Sequence, residues 1–129
     1  MCQLNNIKSI HDLFGMGEVV TEQVNLNVSR FPKRATAFII NSAAERPLLV
    51  EKLDIKIVDG VVHLTGCQKY VADFILEILH VAGAPDSDVV AAATHYRNKF
   101  SIKAESLSRV KNRTANFIAK YTEEEVSQS

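Results

Sequence analysis

The residues best suited to chemistry in this 129-residue chain are the cations of its last long segment, residues 97 to 120. Guanidinium and ammonium groups bind phosphates and carboxylates through charge-assisted hydrogen bonds. The segment holds seven such groups and one acid, Glu105, so it carries +6 while the remainder of this neutral chain carries −6. That asymmetry predicts a surface that meets an anionic partner. The candidate anion-binding residues are Arg97, Lys99, Lys103, Arg109, Lys111, Arg113 and Lys120.

Helical geometry brings some of these cations together. If residues 106 to 121 form one helix, Arg109, Arg113 and Lys120 lie within about 100° of one another, whereas Lys111 points elsewhere. Arg109 and Arg113 are four residues apart and could jointly grip a phosphate or a carboxylate. The competing interpretation is an ordinary solvated helix exterior, on which cations near the C-terminus also suit the helix dipole.

A nucleic acid is one anionic partner that such a segment would fit. Single-stranded nucleic acids stack their bases on aromatic side chains, and the possible stacking residues near the cations are Tyr96 and Phe100. Aromatic residues make up only 7% of the chain and Trp is absent, so we expect phosphate contacts with little base specificity.

The best candidate nucleophile is Cys67, which follows a predicted strand and Gly66 at the predicted start of a helix. A helix N-terminus lowers the pKa of a thiol, and His63 is close by in sequence. The strand alternation places His63 on the outer face, however, and no Cys-His-Asn or Cys-His-Asp signature has a recognisable spacing. We therefore expect a protein that is not an enzyme, in which Cys67 is a small residue at a strand-to-helix turn.

Metal and cofactor sites are not predicted. The four histidines have neither an H-x-x-x-H nor a C-x-x-C spacing among them, and no carboxylates form a recognisable acid and base pair. Gly15-Met16-Gly17 precedes a strand, whereas a phosphate-binding loop follows a strand and opens a helix. It is better explained as the end of a short helix.

Length and composition predict one ordinary domain with an aliphatic core, because 47% of the residues are hydrophobic and 23% are charged. Cys2 and Cys67 are far apart in sequence, which favours reduced thiols over a disulfide. No apolar run is long enough to cross a bilayer, and the N-terminal residues lack the apolar centre of a signal peptide. We expect a cytoplasmic protein that has no membrane partner.

The clearest structural element is a hairpin made of residues 52 to 58, Asp59-Gly60 and residues 61 to 65. Asp-Gly supplies the two positive φ angles of a two-residue turn, and that turn fixes the register. Val58 should then face Val61, Ile57 should face Val62, and Ile55 should face Leu64. An earlier strand is predicted over residues 20 to 28 from alternating apolar positions that Glu22 alone interrupts.

Residues 31 to 44 fit two structures. Phe31, Ala35, Phe38 and Ile39 would share one face of a helix, whereas residues 36 to 41 would serve equally well as a short strand. The strand is slightly favoured, because the basic and proline residues at 30 to 34 look like a hairpin connection.

Helical periodicity dominates the second half of the chain. One helix is predicted after Gly66, ending near Gly83 and Pro85, and a second should begin at Asp86-Ser87-Asp88. A last short strand is expected at residues 100 to 104, followed by the basic helix. One or two helical turns are also expected at residues 9 to 14.

Together these elements predict an α+β fold, in which an antiparallel sheet with a central Asp-Gly hairpin carries helices on one face and a long C-terminal helix. Residues 1 to 122 should form a single domain, and residues 123 to 129 a polar, acidic tail. The predicted function is a non-enzymatic, homo-oligomeric protein whose basic segment binds nucleic acid or another phosphate-bearing ligand. The alternatives are a structural or protein-interaction subunit of the viral coat or accessory type and, less favoured, a small thiol-dependent enzyme.

Overall fold

A computed structural model of the chain describes residues 18 to 121 and confirms the α+β class. Three strands form one antiparallel sheet, and five helices accompany it. The strands are β1 (Val19–Asn25), β2 (Leu53–Val58) and β3 (Val61–Cys67), and their order in the sheet is β1-β3-β2. A short 3-10 turn, Leu26–Val28, follows β1. The helices are α1 (Pro32–Glu45), α2 (Pro47–Lys52), α3 (Gln68–Val81), α4 (Asp86–Phe100) and α5 (Leu107–Lys120).

The hairpin of β2 and β3 has the predicted turn and register. Asp59 has a φ angle of 52° and Gly60 one of 79°, the two positive values that a type I′ turn needs. The paired residues are Val58 with Val61, Ile57 with Val62, and Ile55 with Leu64. This pairing turns Leu53, Ile55, Ile57, Val62 and Leu64 toward the core and leaves Asp54, Lys56 and Val58 exposed.

Strand β1 completes the sheet by pairing with β3, with Val24 opposite Val62 and Glu22 opposite Leu64. Glu22, which interrupted the apolar alternation, therefore lies on the face that the helices cover. Its carboxylate is matched there by Lys99 Nζ at 2.7 Å, and the Tyr96 hydroxyl donates to it at 3.5 Å. An acid on the covered face is tolerated because a cation from α4 meets it.

The preference for a strand within residues 31 to 44 was wrong, because Pro32–Glu45 is helix α1. Pro32 occupies the first turn, where a missing N–H costs nothing. The buried residues Ala35, Phe38, Ile39 and Ser42 recur at helical spacing and face the core, so tertiary packing selects the helical alternative.

Helix α3 is the centre of the fold and confirms the predicted helix after Gly66. Its apolar residues Val71, Phe74, Ile75 and Ile78 are buried, and it packs against α1, α4, α5 and the sheet. It ends at a turn in which Gly83 has a φ angle of 96°, a conformation that glycine adopts without strain.

The predicted strand at residues 100 to 104 was also wrong. Helix α4 continues to Phe100 and ends at Ser101, whose left-handed φ of 56° turns the chain away from the helix axis. Residues 101 to 106 then form an irregular connection, because Ala104 and Glu105 are buried against helices and no neighbouring strand is available for pairing in the described sheet.

The helical turns expected at residues 9 to 14, the Gly15-Met16-Gly17 stop and the acidic tail all lie outside the described residues. Within residues 18 to 121, every helix is too short or too polar to cross a bilayer.

Gly66 allows β2 and β3 to approach closely, and Gly66→Ala should destabilise the protein by about 1 to 3 kcal/mol. An added Cβ would collide with the backbone carbonyl oxygen of Lys52 and with the Leu53 side chain. Urea denaturation measures the change, and Ser87→Ala on the exposed side of α4 is the control. A Gly66→Ala protein as stable as the control would contradict this account of the strand approach.

Candidate anion-binding cleft

The basic helix α5 is placed by its cap and by two buried residues. Ser106 Oγ accepts a hydrogen bond from the Arg109 N–H at 3.3 Å, which fixes where the helix starts. Val110 and Thr114 are fully buried, and the Thr114 hydroxyl donates to the Val110 carbonyl at 2.9 Å. This face packs on α3, so the flanking positions Arg109, Arg113 and Lys120 run along a side that solvent reaches.

The structure divides the seven predicted anion-binding cations into two groups. Three are engaged by carboxylates: Lys99 by Glu22 at 2.7 Å, Lys111 by Asp86 at 2.7 Å, and Arg113 by Glu105. The other four side chains form no ion pair with any residue from 18 to 121; they are Arg97, Lys103, Arg109 and Lys120. Part of the basic segment therefore neutralises the protein's own acids.

The two possible stacking residues belong to the interior. Tyr96 and Phe100 are buried and stack on each other with their ring centroids 5.3 Å apart. Burial, reinforced by the charge of Glu22 and the hydrogen bond to it, raises the pKa of Tyr96 to about 12. Their rings pack inside the protein and so leave little surface for a base.

A cleft between α1 and α5 brings together cations that are distant in sequence. Its volume is about 680 Å³, within the range of small-ligand sites, and it is open to solvent. Arg46 contributes from the end of α1, and Arg113 and Lys120 contribute from α5. The remaining lining residues are Phe38, Asn41, Ser42, Glu45, Asn116, Phe117 and Tyr121.

A buried carboxylate holds the two arginines of this cleft. Glu77 of α3 is only 1% exposed, and its Oε1 accepts a hydrogen bond from Arg46 Nη1 at 2.8 Å. Its Oε2 lies 4.0 Å from Arg113 Nε, which also contacts Glu105 Oε2. Glu77 is thus hydrogen-bonded to Arg46 and lies at ion-pair distance from Arg113, whose closer carboxylate is that of Glu105.

The protonation of Glu77 is unusual because of this position. Burial raises the pKa of its carboxyl group to about 7, although the Arg46 hydrogen bond and the charges of Arg46 and Arg113 oppose the rise. Glu105, the second acid of the group, raises it further. The charge of this buried carboxyl group, which contacts the cleft residue Arg46, therefore changes near neutral pH.

Glu105 is held in place by contacts between the 101 to 106 connection and α3. Its backbone N–H donates to Asp73 Oδ1 at 2.9 Å, and Lys69 Nζ bridges Asp73 at 2.6 Å and the Lys103 carbonyl at 2.7 Å. Its Oε2 meets Arg113, whereas its buried Oε1 has no hydrogen-bond partner within the described residues. The connection thus delivers a second carboxylate to Arg113.

Aromatic side chains form the apolar wall of the cleft. Phe117 lies edge-on to Phe38 with a centroid distance of 5.4 Å, and it stacks on Tyr121 at 5.6 Å with an interplanar angle of 14°. Tyr121 is only partly buried. The cleft therefore combines cationic and amide groups with an aromatic surface.

The candidate nucleophile does not have the predicted chemistry. Cys67 lies at the start of α3, as the sequence indicated, but its side chain is buried. Burial raises the pKa of the thiol, outweighing the charge of Lys52, so the expectation of a lowered pKa was wrong. Within residues 18 to 121, His, Cys, Asp and Glu side chains form no group of three that could hold a metal ion.

Comparison with known proteins does not assign the chain to a family: no family model matches it, and no curated protein or solved structure is significantly similar to it.

Of the charged residues at or behind the cleft, the sequence singled out Arg113 and Lys120 but not Arg46 or Glu77. A signal for Glu77 was present, since residues 74 to 79 are apolar at every position except this one. Such a run covers the whole circumference of a helix, and an acid within it must be buried with a cationic partner. Nothing local to Arg46 indicates that it is this partner.

Glu77→Gln should change how stability depends on pH. In the wild type, the folded state keeps a proton between about pH 4.5 and 7 that the unfolded state has released. The free energy of unfolding should therefore fall as pH rises through this window, by up to about 1.4 kcal/mol per pH unit from Glu77. When urea denaturation is measured across this pH range, the free energy of unfolding of Glu77→Gln should not show this decline.

The difference between the wild-type and Glu77→Gln curves isolates this carboxyl group. His80, whose pKa burial lowers, contributes to both curves in the same way. Glu51→Gln, a change at an exposed acid on α2, is the matched control and should reproduce the wild-type slope. Parallel curves for wild type and Glu77→Gln would contradict the raised pKa.

Proposed function

We propose that this protein is a non-enzymatic binding protein that holds a phosphate-bearing ligand, a nucleotide or a single-stranded nucleic acid, in the cleft between α1 and α5. The observation that carries the proposal is a pair of guanidinium groups that line one open cleft with Lys120: Arg46 is hydrogen-bonded to Glu77, and Arg113 is paired with Glu105. Fixed donors lose little conformational entropy when they bind an anion.

The arginines keep hydrogen-bonding capacity for a ligand. Arg113 uses Nε for both of its carboxylates, so the N–H groups of its two terminal nitrogens have no partner within the described residues. Arg46 uses Nη1 for Glu77. The remaining donors suit a phosphate, which accepts two parallel N–H bonds from one guanidinium.

The other lining groups suit the rest of a nucleotide. Asn41 and Asn116 present amides that both donate and accept hydrogen bonds, and Tyr121 extends the stacked aromatic wall. A base or another flat ring could stack there while its phosphate meets the arginines. This role replaces the one that the sequence assigned to the buried rings of Tyr96 and Phe100.

The side of α5 that carries the cleft cations extends beyond the cleft itself. Arg109 lies on the same side as Lys120 and is separated from it by about 16 Å of helix rise. A single strand could therefore contact Arg109 in addition to the cleft, whereas a mononucleotide would use the cleft alone. Comparing the affinity for an oligonucleotide with the affinity for a mononucleotide therefore shows which of these two ligands the protein prefers.

Binding without catalysis is supported by the chemistry of the cleft. A carboxyl group with a pKa near 7 is a frequent catalytic acid or base, but Glu77 is covered by protein and faces two arginines. The hydroxyl of Ser42 belongs to a residue that is only 2% exposed. Glu77 is therefore assigned the task of positioning the guanidinium groups.

The first test measures fluorescence anisotropy of a labelled single-stranded oligonucleotide of about 12 nucleotides, with a labelled mononucleotide in parallel. Binding at low salt that weakens as salt rises is expected. Lys120→Ala should lower the affinity about five- to tenfold, whereas Arg97→Ala, an equal loss of charge on α4, should change it less than about twofold.

Two other outcomes of that experiment would contradict phosphate binding in the cleft. Absence of binding by both probes at low salt, or an equal loss of affinity in Arg97→Ala and Lys120→Ala, would contradict the proposal. Arg113→Lys provides a further check, because it keeps the charge beside Glu77 and Glu105 but removes the forked donor geometry. It should weaken binding while the protein stays folded.

Affinity for the oligonucleotide should increase as pH falls from about 8 to about 6. Glu77 offsets the charge of the arginines when it is ionised, and it becomes protonated as pH falls through its pKa of about 7. A phosphodiester backbone keeps its charge over this range, so the change reports on the protein. Glu77→Gln should bind with little dependence on pH, and an unchanged pH profile in that variant would contradict the assignment.

A further inference from the structure

The cleft between α1 and α5 lies where helix α5 ends. Tyr121, the last residue that the structure describes, lines the cleft together with Lys120. Its backbone is extended, with a φ angle of −103° and a ψ angle of 124°, so the chain leaves the helix axis at this point. The residues that follow Tyr121 therefore start beside the cleft.

A run of three acids begins two residues later. Residues 123 to 125 are all glutamate, and residues 122 to 129 contain no lysine or arginine. We call residues 123 to 125 the acidic segment. Its three negative charges are joined to the cleft through a single residue, Thr122.

The cleft presents the opposite charge. Among its described lining residues, one acid, Glu45, stands against three cations, Arg46, Arg113 and Lys120. A carboxylate accepts two parallel N–H bonds from one guanidinium group, as a phosphate does. The donors that suit a phosphate therefore suit the side chains of the acidic segment as well.

We propose that the acidic segment binds in the cleft between α1 and α5 and competes there with the phosphate-bearing ligand. This inference rests on the proposed function, because it assigns a competitor to the same site. The segment is the weaker anion of the two, and the ligand displaces it.

The acidic segment is long enough to reach the cations of α5. An extended residue spans about 3.3 Å, so Glu125 reaches up to about 13 Å from Tyr121. Lys120 and Arg113 are separated by about 10 Å of helix rise. A chain that turns back at Tyr121 therefore brings its carboxylates to the part of the cleft between Lys120 and Arg113.

Covalent attachment makes weak contacts sufficient for competition. A short linker holds an attached group at an effective concentration of about a millimolar or more. The apparent dissociation constant of a ligand is its intrinsic constant divided by the fraction of molecules whose site is open. A segment that fills the cleft in about 80 to 90% of the molecules therefore weakens ligand binding about five- to tenfold.

The contact is first tested without any ligand. The triple variant E123Q/E124Q/E125Q removes the three charges and keeps the length of the chain. In amide NMR spectra at low salt, the side-chain amide signal of Asn41 on the α1 wall should differ between the wild type and this variant, because the carboxylates leave the cleft. The side-chain amide of Asn98, exposed on α4, is the control and should not move.

Fluorescence anisotropy with a labelled oligonucleotide of about 12 nucleotides then measures the competition. The triple variant should bind about five- to tenfold more tightly than the wild type at low salt. The matched control E51Q/D54N/D88N removes the same charge from three exposed acids that do not line the cleft, and it should gain less than about twofold.

Two backgrounds locate the competition. In Lys120→Ala, the gain from the three glutamines should fall to less than about half of its wild-type value, because a cation that both anions contact is missing. In Arg97→Ala, an equal loss of charge on α4, the full gain should remain.

The outcomes separate this inference from the function on which it rests. Equal gains in the two triple variants, or an Asn41 signal that does not move, would overturn the competition even if the oligonucleotide binds. If the Asn41 signal moves and neither the wild type nor the triple variant binds an oligonucleotide or a mononucleotide, the proposed function fails. The contact between the acidic segment and the cleft then stands by itself.

Discussion

The fold depends on burying one carboxylate, that of Glu77, inside a helix that other elements surround. An ionised group removed from water is costly unless opposite charges and hydrogen bonds meet it. Arg46 reaches it from the end of α1, and Arg113 reaches it from α5. Both α1 and α5 pack on α3, and residues of both line the cleft between them.

The net charge of the basic segment therefore differs from the charge that its side chains leave unpaired. The net +6 of residues 97 to 120 suggests a uniformly basic surface, but Lys99, Lys111 and Arg113 each meet a carboxylate of the same chain. Such pairs contribute modestly to stability at the surface and more where solvent is excluded. The other four cations of this segment form no ion pair within residues 18 to 121, and one of them, Lys120, lines a cleft that has an aromatic wall.

Sequence-based prediction was accurate where the residues that interact are close along the chain, and it failed where they are far apart. The turn and register of the hairpin were predicted correctly because the Asp59-Gly60 turn and the alternation on either side are local. Helix α1 was missed because a short run containing Phe38 and Ile39 fits both periodicities, and burial against α3 decides between them. The expected strand after Phe100 failed because the described sheet has no partner to offer it.

The sequence by itself determined the fold class, the hairpin register, the extent of helices α3 and α5, and the charge asymmetry of the chain. Each of these depends on spacing along the chain or on composition, which local backbone physics converts directly into structure. Only the tertiary structure decided that Arg46 meets Glu77, 31 residues away, and which cations of the basic segment meet carboxylates of residues 18 to 121. Ion pairing between distant segments depends on how helices pack, and that packing leaves no local pattern in the sequence.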